Sequence, residues 1–338
     1  MSAPLKLVFL GSDSIALPLL DWLAPTGSGL EGEGSAIARL DAIYTQPDRP
    51  AGRGQKVGPG SIKQWAVAHR VPVRQPEKLT PEEQAWLAAR QADVALVMAY
   101  GHILSETFIA TPRFGTLNLH ASILPKYRGA SPIQTAVACG ERETGVTLMR
   151  VVRQLDAGPV ADVERLPIGP LDTAATEIEA RLGAAAVPLL ARTIPLLARG
   201  GLVFQEQEHG AATYCRRLLK EDGALDFSAP AAVLAARING LFPWPGCAAE
   251  VVGVAIRLGL ADAVAGDGGT AAAGTVAGSD AFGLLVATGR GVLRIRKLQR
   301  PGGRMLPAPD FLRGFPVAPG TCLPSRPMSK LVAPAPFR

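Results

Sequence analysis

Along the first two thirds of the chain, short apolar runs alternate with stretches in which apolar residues recur every three or four positions. Leu7-Val-Phe-Leu10 has the density of a buried strand, residues 15–23 the period of a helix, and residues 40–45 the look of a second strand. Helical spacing returns at residues 61–69. Thr80-Pro-Glu-Glu83 has the form of a capping box with proline at the first helical position, which predicts a helix reaching about residue 90. Further strands are predicted at 94–98, 115–119 and 145–152, and helices at 131–139 and 172–198, the last punctuated by Gly183, Pro188 and Pro195. Alternation of this kind implies an α/β fold: a Rossmann-like, mainly parallel sheet with helices on both faces.

From Gly200 the period changes. Short β-like runs follow at 247–254, 255–260, 274–276, 283–287 and 292–297, separated by glycine-rich turns and accompanied by one helix at 231–238. That is the pattern of a small OB-like β-barrel. The expected organisation is a Rossmann-like domain over residues 1–200, a linker at 201–215 and an OB-like domain over 216–330. Two glycine-rich tracts, 27–35 and 265–274, read as surface loops.

Composition narrows the class. With 338 residues, 48% apolar and 19% charged, the chain can bury a large core, which excludes wholesale disorder. The longest apolar run, 184–198, is interrupted by Pro188, Arg192 and Pro195 and makes a poor membrane span. The N-terminal residues have neither a signal-peptide apolar region nor the character of a transit peptide, and Cys139, Cys215, Cys247 and Cys322 form no C-x-x-C pair. A reducing cytoplasm is the expected location. The net charge of +6 is unevenly spread: up to Cys215 there are 20 basic and 21 acidic residues, and from Arg216 onward 15 basic and 8 acidic. Such asymmetry fits either a polyanionic partner or a solubilising basic face.

The candidate chemistry starts with exclusions. The turn after the first strand, Gly11-Ser-Asp-Ser14, lacks G-x-G-x-x-G, and the sequence contains no P-loop, no H-E-x-x-H and no G-x-S-x-G. The positive signal is Asn118-Leu-His120, where a strand runs out into the proline-bearing loop Ser122-Ile-Leu-Pro125. Residues two apart on a strand leave the same face, so this amide and this imidazole converge on one point. Together they can donate hydrogen bonds to a developing oxyanion. Asp156, in Leu155-Asp-Ala-Gly158, is placed to orient His120 and favour its role as proton donor or relay. His102, in Tyr100-Gly-His-Ile103, is a pocket-lining candidate, whereas His69 and His209 read as surface residues.

At these residues the chain resembles the methionyl-tRNA formyltransferases of the folate-dependent formyltransferase superfamily. The superfamily-wide likeness rests on Asn118-Leu-His120, Ser122 to Pro125, Arg128-Gly-Ala-Ser-Pro-Ile-Gln134 and Asp156-Ala-Gly158. Two narrower blocks are Thr45-Gln-Pro-Asp-Arg-Pro-Ala-Gly-Arg-Gly-Gln-Lys56, similar to the family's basic tRNA-gripping loop, and the segments Lys220-Glu-Asp-Gly223, Leu225-Asp-Phe227 and Phe242-Pro-Trp-Pro245 at the start of its C-terminal domain. The likeness runs from about residue 7 to about 319. It departs at Ser12-Asp-Ser-Ile15, where the family usually carries Thr-Pro-acid-Phe, at Ala121, where Gly is common, and in an apparent insertion at 27–34.

The resemblance implies transfer of a formyl group from 10-formyltetrahydrofolate to the α-amino group of methionyl initiator tRNA. In that reading Asn118, His120 and Asp156 are catalytic, and Ser122, Ile123, Leu124 and Pro125 shape the folate cleft. The RNA-binding candidates are Arg49, Arg53, Lys56 and Lys63 in the loop, then Arg216, Arg217, Lys220, Arg294 and Arg296, with Arg294 and Arg296 on one strand face and Lys297 on the other. No metal, no membrane and no obligate protein partner are implied, and a monomer is expected. Two other readings stand beside it: a folate formyltransferase or hydrolase acting on a small amine such as a sugar nucleotide, and an RNA-binding module with a decayed site.

Overall fold

A computed structural model of the chain describes residues 4–25, 32–51, 56–169, 174–264 and 271–337. In chain order the first part contains β1 (Leu5–Gly11), α1 (Leu17–Trp22), β2 (Ala38–Tyr44), β3 (Arg49–Ala51), β4 (Lys56–Gly58), α2 (Ser61–Ala68), β5 (Val73–Arg74), α3 (Pro81–Ala89), β6 (Val94–Met98) and α4 (Glu106–Ala110). It continues with β7 (Thr116–His120), β8 (Arg128–Gly129), α5 (Pro132–Ala138), β9 (Glu143–Arg150), β10 (Val160–Pro167) and α6 (Ala175–Ala198). By its contacts the chain forms two compact units, one of residues 1–128, 145–166 and 180–212, the other of 129–144, 167–179 and 213–338.

The first unit is built on a seven-stranded sheet in the order β10-β9-β7-β6-β1-β2-β5. The β2–β1–β6–β7 core is parallel, β5 joins it in parallel, and β9 runs antiparallel to β7. Leu7, Val8, Phe9 and Leu10 are all fully buried, as a strand covered on both faces requires. On one of those faces Val8, Leu10, Tyr44 and Tyr100 pack with Leu87 and Phe108, where Tyr44 meets Trp86 and Phe108 edge-on. Helix α6 has the length and apolarity to cross a membrane. Its stripe of Leu182, Ala186, Leu189, Leu190, Ile194 and Leu197 is buried inside the protein, as in a core helix.

One local expectation fails. Thr80 caps α3 without a side-chain hydrogen bond. The capping box would need Glu83 to reach back to the Thr80 amide, but Glu83 is buried and its carboxylate is held by Arg74, Nε at 3.0 Å and Nη2 closer still. An ion pair between two elements wins over the local cap.

The second unit adds β11 (Tyr214–Cys215), α7 (Ala231–Leu241), β12 (Cys247–Val251), β13 (Val254–Val264), β14 (Val276–Ser279), β15 (Leu284–Ala287), β16 (Val292–Gln299), β17 (Leu306–Pro307), α8 (Ala308–Gly314) and β18 (Val332–Ala333). An open, curled antiparallel sheet runs β12-β13-β16-β15-β14, with β17 on β16, and forms an OB-like half-barrel. Two bulges bend it: Gly259 is the extra residue on β13 and Arg296 the extra one on β16. They explain why inward residues step from Leu258 to Ala261 and from Ile295 to Leu298. The bulge also overturns strict alternation at Lys297, which is exposed rather than inward. Helix α7 fills the sheet's concavity and packs on α5, so closely that a Cβ on Gly240 would lie 2.2 Å from the Ala138 amide nitrogen.

Candidate active site

Strands β1, β6 and β7 are parallel, so their C-terminal ends form one edge of the sheet, where open α/β folds hold ligands. His120 is the last residue of β7, and Asn118 precedes it by one side-chain repeat on the same face. His120 is 6% exposed. Its Nε2 lies 2.8 Å from the Tyr127 carbonyl oxygen, which can only accept, so Nε2 carries a proton there. That leaves Nδ1 as the nitrogen facing the site, 3.7 Å from Oδ2 of Asp156. The spacing is that of an ion pair rather than of a direct hydrogen bond. Asn118 is half-buried, and among the described residues its amide has no hydrogen-bond partner. An amide with no partner, an imidazole with Nδ1 toward the site and a carboxylate at ion-pair distance from that nitrogen therefore gather at the end of β7.

The backbone around these groups is tightly specified. Tyr127 and Asp156 both adopt left-handed conformations, φ 59° and 47°, unusual for residues with side chains and held only where the surroundings demand it. Gly158 closes the Asp156 turn, because a Cβ there would sit 2.0 Å from the Arg150 carbonyl oxygen. The Ser122 to Pro125 loop is braced internally. Ser122 Oγ donates to the Lys126 carbonyl at 2.6 Å, and Thr147 Oγ1 donates to the Ser122 carbonyl at 2.6 Å while accepting from the Leu124 amide at 3.2 Å. Ile123 and Pro125 remain half-exposed.

Comparison with known proteins decides the family. A family model described as formyl transferase matches residues 9–194, and one described as formyl transferase, C-terminal domain, matches residues 217–316. A methionyl-tRNA formyltransferase of Aromatoleum aromaticum is 41% identical over 320 residues, covering 94% of this chain and 97% of its own. One from Ectopseudomonas mendocina is 42% identical over 328 residues, covering 96% and 99%. The chain belongs to the methionyl-tRNA formyltransferase family. It is, like those relatives, a formyl-group transferase. Among solved structures, the fold is shared with a sugar 3N-formyl transferase, WlaRD, crystallised in the presence of dTDP and 5-N-formyl-THF (TM-score 0.62, 16% identity, 88% of this chain and 98% of that one). It is shared too with HypX from Aquifex aeolicus in complex with tetrahydrofolic acid (TM-score 0.60, 15% identity, 92% of this chain), of which this chain spans 47%.

The other site residues expected of a formyltransferase of this family fall into two groups. Lys63 donates to Asp48 at 2.6 Å, and hydrogen bonds from Gln75 and Lys63 hold the Asp48 carboxyl below its ordinary range. Arg216 forks onto Asp222 at 2.8 and 2.7 Å, and Arg294 is held by Asp262 and, at 3.1 Å, Asp280. These three cations are engaged by carboxylates. Arg49, Arg217 and Lys220 are exposed, and Arg296 is half-exposed at its bulge. The loop that carries Arg49 and Lys56 forms an antiparallel hairpin of β3 and β4; Arg53 lies outside the described residues, as does the Lys56 side chain.

Four residues without a legible role in the sequence hold the site together: Tyr127 through its carbonyl, Thr147, Arg128 and Gln207. The Gln207 amide donates to the carbonyls of Asp156 and Gly158. Arg128 stands in a family motif that names no partner for it, and Gln207 lies in the expected linker at 201–215. Near the same sheet edge, Tyr100 Oη and His102 Nε2 are buried and, among the described residues, without hydrogen-bond partners.

Proposed function

We propose that this chain transfers the formyl group of 10-formyltetrahydrofolate to the α-amino group of methionine on initiator tRNA. The observation that carries the chemistry is the unpartnered Asn118 amide on the same strand face as His120, whose Nδ1 faces Asp156. The neutral amine attacks the formyl carbon and a C–N bond forms. The carbonyl oxygen becomes an oxyanion that accepts hydrogen bonds from Asn118 and from the protonated Nδ1 of His120. The bond to folate N10 then breaks, N10 takes a proton, and the amine nitrogen gives one up. His120, paired with Asp156, gives its Nδ1 proton to N10 and takes its replacement from the amine nitrogen, which closes the proton count. Each oxyanion donor is worth about 10²- to 10³-fold in rate, or ~3 kcal/mol of barrier. The reaction demands no nucleophilic side chain and no metal.

The folate cleft is lined by Ser122, Ile123, Leu124 and Pro125. Because the Ser122 hydroxyl and the Leu124 amide are already engaged, they hold the loop in shape, and the half-exposed Ile123 and Pro125 offer apolar contact to the cosubstrate. The tRNA is gripped by the basic segment with Arg49, Arg53 and Lys56 and by residues 216–330, where the exposed Arg217 and Lys220 and the bulged Arg296 meet phosphates. Lys63, Arg216 and Arg294, bound to carboxylates, support the surfaces that carry these contacts. As a translation enzyme the protein works in the cytoplasm, as a monomer and without a membrane.

The test is transfer of labelled formyl from 10-formyltetrahydrofolate to methionyl initiator tRNA, with a methionyl elongator tRNA and an amino-sugar nucleotide as competing acceptors, at two salt concentrations. Initiator-selective transfer that weakens with salt is the expected result. Transfer to the sugar amine alone, or folate hydrolysis without transfer, overturns the acceptor assignment.

A further inference from the structure

Gln207 is 7% exposed, out of keeping with a place in the expected linker at 201–215. Two residues earlier, Gln205 exchanges both main-chain hydrogen bonds with Val160 at 2.8 Å, an antiparallel bridge that fixes the connector beside the start of β10. The Gln207 amide is then fully used. Its Nε2 donates to the Asp156 carbonyl at 2.9 Å and the Gly158 carbonyl at 2.7 Å, and its Oε1 accepts from Arg128 Nε at 3.2 Å and Nη2 at 2.7 Å. Turning the amide over would set its oxygen against two carbonyls and its NH2 against a guanidinium, so the network itself fixes the orientation. Arg128 is buried and also donates to Nδ1 of His209 at 3.0 Å, an exposed histidine that therefore presents a lone pair there.

These bonds meet the two groups that hold His120 from opposite sides. Asp156, facing Nδ1, is the residue whose left-handed backbone needs outside support, and Gln207 restrains its carbonyl directly. Tyr127, whose carbonyl accepts from Nε2, is also left-handed and immediately precedes Arg128, the other residue Gln207 holds. We infer that Gln207 is a positioning residue for formyl transfer: it locks the Asp156 turn and the Tyr127–Arg128 segment in register, so that the carboxylate and the imidazole face the reacting group together. The inference rests on the reading of Asp156 as catalytic.

The test uses the full-length Gln207→Glu, Gln207→Ala and Asp156→Asn proteins and the Asp156→Asn/Gln207→Glu double variant, with kcat, KM for each substrate and Tm measured for all. Glutamate keeps an acceptor for Arg128 but removes the two N–H donors to the turn, and the split between kcat and KM together with the double variant separates positioning from simple stabilisation. A displacement of the order of 1 Å in a catalytic group lowers rate by up to about 100-fold. The expected result is a roughly 10- to 100-fold loss of kcat in Gln207→Glu, with both KM values within about twofold of the parent, measured well below the Tm, which falls because an oxygen now faces two carbonyls. Gln207→Ala loses at least as much kcat, and the double variant is no slower than Asp156→Asn. Parental kcat in Gln207→Glu, a loss confined to KM, or losses that multiply in the double variant overturns the inference while leaving Asp156 catalytic. A parental kcat in Asp156→Asn refutes the catalytic reading itself and the inference with it.

Discussion

Replacing Asp222 with asparagine tests the scaffolding role of its pair with Arg216. The Asp222 side chain is fully buried and that of Arg216 is 22% exposed. The carboxylate accepts from Arg216 Nη1 and Nη2 at 2.8 and 2.7 Å, from the Leu219 amide at 2.7 Å and from the Ser329 hydroxyl, while its backbone carbonyl accepts from Arg237. Removing one partner of a buried, hydrogen-bonded ion pair costs ~3 to 5 kcal/mol, because the other charge is left uncompensated. For a unit of this size that lowers Tm by roughly 6–20 °C, at about 2–4 °C per kcal/mol. The pH dependence has a definite sign. Burial alone would raise the Asp222 carboxyl, but the hydrogen bonds from Arg216, Ser329 and Leu219 outweigh it and hold it below its ordinary 3.8. An unfolded chain therefore takes up this proton before the folded one, and the group's contribution is full above that value and lost as pH falls through the folded one. Thermal unfolding of the parent and of Asp222→Asn across pH 3–7 should show a gap that is wide at neutrality and narrows in acid. A loss below about 1 kcal/mol, or a gap that ignores pH, would refute the reasoning.

Salt dependence of RNA binding divides the cations of residues 216–330. Arg217→Ala and Lys220→Ala should each reduce the slope of log affinity against log salt by about 0.7 to 0.9, the share of one phosphate contact, when measured by filter binding with initiator tRNA. Arg294→Ala should leave that slope unchanged, because Asp262 and Asp280 already hold its charge and their hydrogen bonds raise its affinity for the proton. Gly240→Ala should destabilise the second unit by ~1 to 3 kcal/mol in chemical denaturation, since the new methyl would have to displace the Ala138 backbone.

The parts of the fold legible in the sequence are those whose burial is written in a local period. Strands β1, β2, β6, β7 and β9 are dense apolar runs, and α2, α6 and α7 carry helical stripes. Strand β10 escaped because it mixes Asp162, Glu164 and Arg165 among its apolar residues and is only partly buried at the sheet's edge. Strand β5 is two residues long, too short for any period. Strict alternation fails at Lys297 because a bulge is set by pairing with β13, not by the residues of β16 alone. At the site, Asn118 and His120 were legible because spacing on one strand dictates a shared face, and Asp156 because its turn resembles a family motif. The bracing was not. Gln207 acts on partners 51, 49 and 79 residues away, and nothing in its own neighbourhood marks it.

The claim that Asn118, His120 and Asp156 carry the chemistry, and not the binding, is tested most directly by single-turnover formyl transfer under saturating enzyme. Rapid-quench rates for Asn118→Ala, His120→Ala and Asp156→Asn would be set beside the tRNA dissociation constant of each. The account predicts chemical steps slowed by about 10²-fold or more in each variant, with tRNA affinity within about twofold of the parent. Parental single-turnover rates in His120→Ala, or a loss that disappears once tRNA is saturating, would contradict it.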